Sequence, residues 1–243
     1  MGLKFITPDL SDERIKYAAK HLESKGFNHI EKERFSDFVL LGVNPNEELL
    51  SFDKTVFAGN VKSEGVYDYT KSEVFAIKNA FLTAEGTIAL ATQSSKRSLI
   101  NSNVLITGYG RIGKALHRLL HAYTGNITVC ARSNEQRALA HSSNADTISF
   151  DSLTDNGKYD FIFNTVPHPV FTGRELYSVS KDAVIIDLAS FPGGVDKHIA
   201  RVRELNLITA KGLPAVYSPE SAGCVLGEAV IEIIEKDGLF KNL

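Results

Sequence analysis

The sequence lacks an excess of charge: over 243 residues, 27 Lys and Arg stand against 29 Asp and Glu, for a formal net charge of -2. No Lys/Arg run gathers on one segment, so neither a nucleic-acid backbone nor an anionic membrane surface is an expected partner. Cysteine is scarce. Cys130 and Cys224 have no CxxC or Cys/His neighbour, so two plain core thiols are expected rather than a metal or redox pair. No His/Cys/Asp constellation has ligand spacing, and no metal is expected. No run approaches ~18 consecutive apolar residues, and the start, Met1-Gly2-Leu3-Lys4-Phe5-Ile6, has no long apolar stretch followed by a cleavage site. A membrane span and a secretory leader are therefore unexpected, and a reducing cytoplasm is the expected compartment. Internal repeats and low-complexity segments are missing as well.

What is present is ordinary for a globular protein: 43% hydrophobic and 23% charged residues. The length suits one large and one reduced domain. Leu3 to Thr7 reads as a strand. Asp9 or Ser11 then caps a helix that carries Ile15, Ala18, Ala19 and Leu22 on one face and ends at Gly26. Phe38 to Leu41 and Thr55 to Ala58 are two more short apolar runs bounded by turn residues. Residues 1–82 thus suggest a small three-strand α/β domain on the substrate side, and 83–100 a connecting helix.

From there strand and helix alternate. Strands are expected at 104–107, 127–131, 147–150, 161–165, 183–188 and 207–210, with helices at 112–123, 135–141, 174–179 and 195–205. Such alternation implies parallel strands joined by right-handed crossovers, hence an α/β fold with a doubly wound parallel sheet of Rossmann type over 101–216. Residues 217–243 are expected to form a helix, opened by Ser218-Pro219-Glu220, that packs back on the connecting helix or the small domain.

The chemistry is clearest at Gly108-Tyr109-Gly110-Arg111-Ile112-Gly113. This GxGxxG follows the strand at Val104 and opens an amphipathic helix. Gly108 suits a tight turn, Gly110 a close approach of backbone to a diphosphate, and Gly113 close packing of helix on strand. The helix start offers N–H groups and a partial positive charge. A pyridine dinucleotide is the expected ligand. The second strand ends at Arg132-Ser133, where an NAD-selective fold usually carries Asp or Glu; a guanidinium and a hydroxyl suit a 2′-phosphate, which favours NADP with NAD as second choice. The bland alternative is an Arg132 that points into solvent. Later strand ends, Asn164-Thr165-Val166-Pro167 and Asp187-Leu188-Ala189, are expected to form the rest of the cofactor rim, although Asn164 and Asp187 suit loop caps equally well. Glu85, His168 and Ser190 are the candidates for proton movement. Each has a plainer reading: a first-turn acid, a surface histidine in a proline-rich turn, and a turn cap.

The run from Ile185 to Asp196, then Gly212-Leu213-Pro214 and Pro219-Glu220-Ser221-Ala222-Gly223, resembles the A-subunit family of dipicolinate synthase. Thr83 to Ile88, the Gly108 motif, Ala131-Arg132-Ser133 and Asn164 to Pro167 fall in the same order as in that family. The resemblance covers roughly residues 72 to 235. It implies an NADP-dependent oxidoreductase of a spore-forming bacterium that oxidises a small dicarboxylate, a dihydro- or hydroxytetrahydrodipicolinate, beside a flavoprotein-like second subunit, and that forms a homo-oligomer. Three features depart from the family: Phe191 stands where a basic residue precedes Pro-Gly-Gly, Leu82 stands where a proline is usual before Thr83, and the first 70 residues are shorter than its N-terminal domain. The alternatives are a dehydrogenase acting on another amino or hydroxy acid and a non-catalytic dinucleotide-binding subunit.

Overall fold

The computed structural model describes residues 2–153 and 157–240. The chain forms two compact units: Met1–Leu82 with Pro214–Leu243, and Thr83–Leu213.

In the first unit β1 (Lys4–Ile6), α1 (Glu13–Ser24), β2 (Asn28–His29), β3 (Phe38–Val43), β4 (Thr55–Gly59) and β5 (Val66–Asp68) make a parallel sheet in the order β2-β1-β3-β4-β5. The sequence reading expects three strands here. The two it misses, β2 and β5, are very short and have no buried residue, so they carry no apolar signal. Helix α1 is capped by Asp12, which accepts from the Arg14 amide, rather than by Asp9 or Ser11. α2 (Glu73–Ser94) runs across the boundary between the units. It begins before the expected Thr83, because the Ser72 hydroxyl accepts from the Phe75 amide and caps a start that no apolar run announces. Among the described residues α2 is also the one helix long and apolar enough to cross a membrane by length and composition. Its apolar side chains alternate with Asn79, Thr83, Glu85 and Thr87, which is why no unbroken apolar run marks it in the sequence.

The second unit contains β6 (Val104–Thr107), α3 (Arg111–Leu120), β7 (Ile127–Cys130), α4 (Asn134–Ser142), β8 (Asp146–Ile148), β9 (Phe161–Asn164), α5 (Gly173–Ser178), β10 (Val184–Asp187), α6 (Lys197–Val202) and β11 (Asn206–Thr209). Its six strands lie in the order β11-β10-β9-β6-β7-β8 with every pairing parallel. This is the doubly wound order in which the chain starts in the middle and winds outward in both directions. β6, β7, β9 and β10 are buried at every position, as the mostly apolar central strands of a sheet covered on both faces must be. The expected helix at 195–205 is shorter, because Asp196 caps it at the Ile199 amide and Glu204 adopts a left-handed backbone.

The chain then forms α7 (Leu213–Tyr217) and α8 (Pro219–Lys236). Leu226, Ala229, Val230 and Ile234 of α8 share one core with Phe5, Phe38, Phe57 and with Ile15 and Leu22 of α1. α8 lies close on α1: a Cβ added to Gly223 would stand 2.5 Å from the Arg14 carbonyl oxygen and from the Tyr17 Cβ.

Candidate dinucleotide site

The glycine turn leaves β6 at Gly108, whose φ of 87° only glycine adopts without strain. Its amide donates to the Cys130 carbonyl at 2.8 Å, tying the turn to β7. A Cβ at Gly108 would run into Thr165 Oγ1 and Val166 Cγ2, and one at Gly113 into the Gly108 carbonyl. Gly110 differs. A Cβ there would meet nothing within 4 Å, so the space over the start of α3 is open while the space beneath the turn is filled. The first turn of α3 presents N–H groups and the positive end of its dipole at that opening.

The opening is a hollow of about 650 Å³, within the range of small-molecule sites. The glycine turn, Arg132, Gln136, the stretch Ser149 to Asp151, and Thr165 to Val170 line it. Arg132 is exposed at the end of β7. The backbone that carries it is held by Arg137, which donates to the Ala131 carbonyl at 2.6 Å and the Arg132 carbonyl at 2.9 Å. Ser133 caps α4 by accepting from the Gln136 amide. Behind the turn Tyr109 is buried, and its hydroxyl shares a 2.8 Å hydrogen bond with Nδ1 of buried His117. Burial, reinforced by neighbouring His121, lowers the His117 pKa to about 4; burial raises the Tyr109 pKa and pushes the Cys130 thiol up to about 12, so Cys130 is an inert core thiol.

Beneath the hollow a buried polar row crosses the last rung of three strands, where Thr107 pairs with Asn164 and Asn164 with Asp187. The Thr107 hydroxyl donates to Asn164 Oδ1 at 2.6 Å, and Asn164 Nδ2 donates to Asp187 Oδ1 at 2.8 Å. The carboxylate also accepts from the amides of Ala189 and Gly194. These bonds hold the Ala189 to Gly194 turn, on which Phe191 is 86% exposed.

Residues 77–191 match the NAD-binding domain of the D-isomer specific 2-hydroxyacid dehydrogenases. Together with the strand order and the open glycine turn, that match marks the fold of the second unit. It is a Rossmann-like NAD-binding fold. The dipicolinate synthase A-subunit of Bacillus subtilis (strain 168) is 32% identical over 160 residues, which is 65% of this chain and 54% of that relative; the alignment thus spans about half of the relative's length. The crystal structure of the dipicolinate synthase A-subunit from Bacillus halodurans matches with a TM-score of 0.85 at 22% identity, covering 96% of this chain and 98% of that one. The D-lactate dehydrogenase of Escherichia coli matches with a TM-score of 0.62 at 15% identity, covering 98% of each chain. These two structural matches establish a shared fold.

Within this NAD-binding domain, Gly108, Tyr109, Gly110, Arg132, Thr165, Val166, Pro167 and His168 come together around the hollow. Arg111, Ile112 and Gly113 form the first turn of α3, and Ser133 sits beside Arg132 as a cap. Asn164 and Asp187 are turned inward and occupied by each other, and Leu188 and Ala189 are buried behind them. Ser190 is exposed on the turn after β10, and Glu85 lies on α2; neither lines the hollow. Sequence reasoning misses Gln136, Ser149, Phe150 and Asp151. It carries the third strand on to Phe150, whereas β8 ends at Ile148 and a single 3-10 turn, Phe150–Ser152, swings the next residues to the rim. The available signal is Ser149, a residue type that starts such turns.

Proposed function

We propose that the chain is an NADP-dependent dehydrogenase that oxidises a dihydro- or hydroxytetrahydrodipicolinate-type dicarboxylate to dipicolinate, assembling with copies of itself and working in the cytoplasm beside a second, flavoprotein-like subunit. The observation that carries the dinucleotide part is the pairing of a filled underside with an open upper side at the glycine turn. A Cβ built on Gly110 meets no protein atom within 4 Å, which leaves room for a diphosphate. Arg132 supports the NADP form: on its Arg137-held backbone it offers a planar fork of donors suited to a 2′-phosphate. The similarity to the dipicolinate synthase A-subunit supports the substrate class and the second subunit. The two free thiols, one of them buried in β7, suit a reducing compartment.

A bound NADP would supply a hydride acceptor; the hydroxylated substrate would lose water as well as a hydride and a proton, and aromatisation of the dicarboxylate ring would supply the driving force. The chain's own residues bind and orient. The α3 start and Arg132 hold the phosphates, while the Asp187 row fixes the turn that carries Ser190 and Phe191. Glu85, Ser190 and His168 are the proposed groups for holding or moving a proton, and of the three His168 lines the hollow. A second reading, NAD as cofactor, is favoured by Asp151, a carboxylate on the same hollow that would accept from a ribose 2′-hydroxyl and repel a 2′-phosphate.

Two measurements test these readings. NADPH formation, followed by absorbance with the dicarboxylate and with and without the second subunit, is expected only when the substrate is present; no turnover under any condition leaves a binding subunit. Calorimetry on Arg132→Asp is expected to show NADP binding weakened about tenfold to a hundredfold, with NAD little changed. An unaltered NADP to NAD ratio removes Arg132 as the phosphate clamp.

A further inference from the structure

Among the described residues the hollow has one cationic group at the end of β7, Arg132, and one titratable imidazole just after β9, His168. Asp151 is the other charged side chain on its lining. Arg111 and Lys114, on the first turns of α3, are not part of that lining; Lys114 Nζ lies 6.0 Å from the Tyr109 ring centroid.

His168 is carried on a stiff segment. Pro167 and Pro169 flank it and restrict the backbone on both sides. The segment is anchored at its start, where the Thr165 amide and hydroxyl both donate to the Thr107 carbonyl, at 2.9 and 2.8 Å. It is anchored again at its end, where the amides of Val170 and Phe171 both donate to the Gly194 carbonyl at 2.9 Å. Thr165 and Val166, the residues a Cβ on Gly108 would strike, belong to the same segment, so it packs directly on the glycine turn. An exposed imidazole is thereby held at the edge of a place built for a diphosphate.

We propose that His168 is a second phosphate ligand of this site: its imidazolium contacts the dinucleotide diphosphate opposite the α3 start, so cofactor affinity rises as His168 is protonated. The inference rests on the dinucleotide reading above and adds to it a residue and a pH dependence. Proton uptake on the imidazole is its only chemical step. The contact is solvent-exposed and therefore modest and salt-sensitive.

ADP-ribose is the probe, because it carries the diphosphate without a 2′-phosphate that would itself titrate in this range. Its dissociation constant is measured by calorimetry on the full chain at pH 6 and pH 8, at low and high salt, for the native protein, His168→Gln and His168→Lys. The native protein is expected to bind about threefold to tenfold more weakly at pH 8 than at pH 6, with a smaller difference at high salt. His168→Gln is expected to bind weakly at both pH values, and His168→Lys tightly at both. Equal pH dependence in the native protein and His168→Gln overturns the role of His168 while leaving the site itself standing. Absence of any binding by ADP-ribose, NAD or NADP overturns the dinucleotide reading, and this inference with it.

Discussion

At the scale of single residues, the glycines of the motif divide into those the fold needs and one whose missing side chain leaves open space. Gly108 and Gly113 have protein atoms where a side chain would go, whereas Gly110 has open space. Gly110→Ala is therefore expected to leave the melting temperature within the range of a neutral surface change, about 0.5 kcal/mol, while weakening nucleotide binding about tenfold or more as the added methyl fills the diphosphate's place. Thermal melts beside calorimetry decide this: a loss of stability without a loss of affinity would mean the open space belongs to the fold. The glycine turn is legible in the sequence because its spacing after an apolar strand carries the geometry. The inward turn of Asn164 and Asp187 is not, since strand ends look alike whether their side chains face a ligand or one another.

At the scale of elements, α3 carries a titration that the sequence does not announce. Burial lowers the pKa of His117 from its ordinary 6.5 to about 4. The unfolded chain therefore takes up a proton between these values and the folded chain does not. Stability is complete above about pH 6.5 and falls as the pH drops toward 4, by roughly 1 to 3 kcal/mol. Urea melts at pH 7 and pH 5 are expected to show the loss, and His117→Gln to reduce it. The same scale holds the contact between α1 and α8, where Gly223 meets the Arg14 carbonyl oxygen. Gly223→Ala is expected to cost about 1 to 3 kcal/mol by forcing the helices apart, measured by denaturant melts. An unchanged midpoint would mean that the helices separate without strain. Amphipathic spacing marks each helix on its own, but pairing one near the start of the chain with one near its end is a long-range fact that no local pattern encodes.

At the scale of the whole molecule, the six-strand order follows from the alternation of strand and helix and from the handedness of crossovers. That is why the second unit is legible almost strand by strand. The first unit is harder to read, because its outer strands are two or three residues long and its last helix arrives from the far end of the chain. The chain therefore completes its first unit last. Ending it after Leu213 removes Leu226, Val230 and Ile234 from the core shared with Phe5 and Phe38. At about 1.5 to 3 kcal/mol for each large buried side chain, that loss approaches the full stability of a typical domain. Such a shortened chain is expected to lose hydrogen-exchange protection in β1 and β3; retained protection would show that α8 is dispensable.

The hydrogen-bonded series of Thr107, Asn164 and Asp187 has a consequence for how sequences of this kind diverge. Losing the asparagine alone takes one of three donors from a buried carboxylate, and losing the carboxylate alone leaves two loop N–H groups without an acceptor and the Asn164 amide with the Val166 carbonyl as its remaining acceptor. A change at one of the three positions is therefore expected to need a matching change at the others. Arg132 and His168, which are exposed at the rim, take part in none of these bonds.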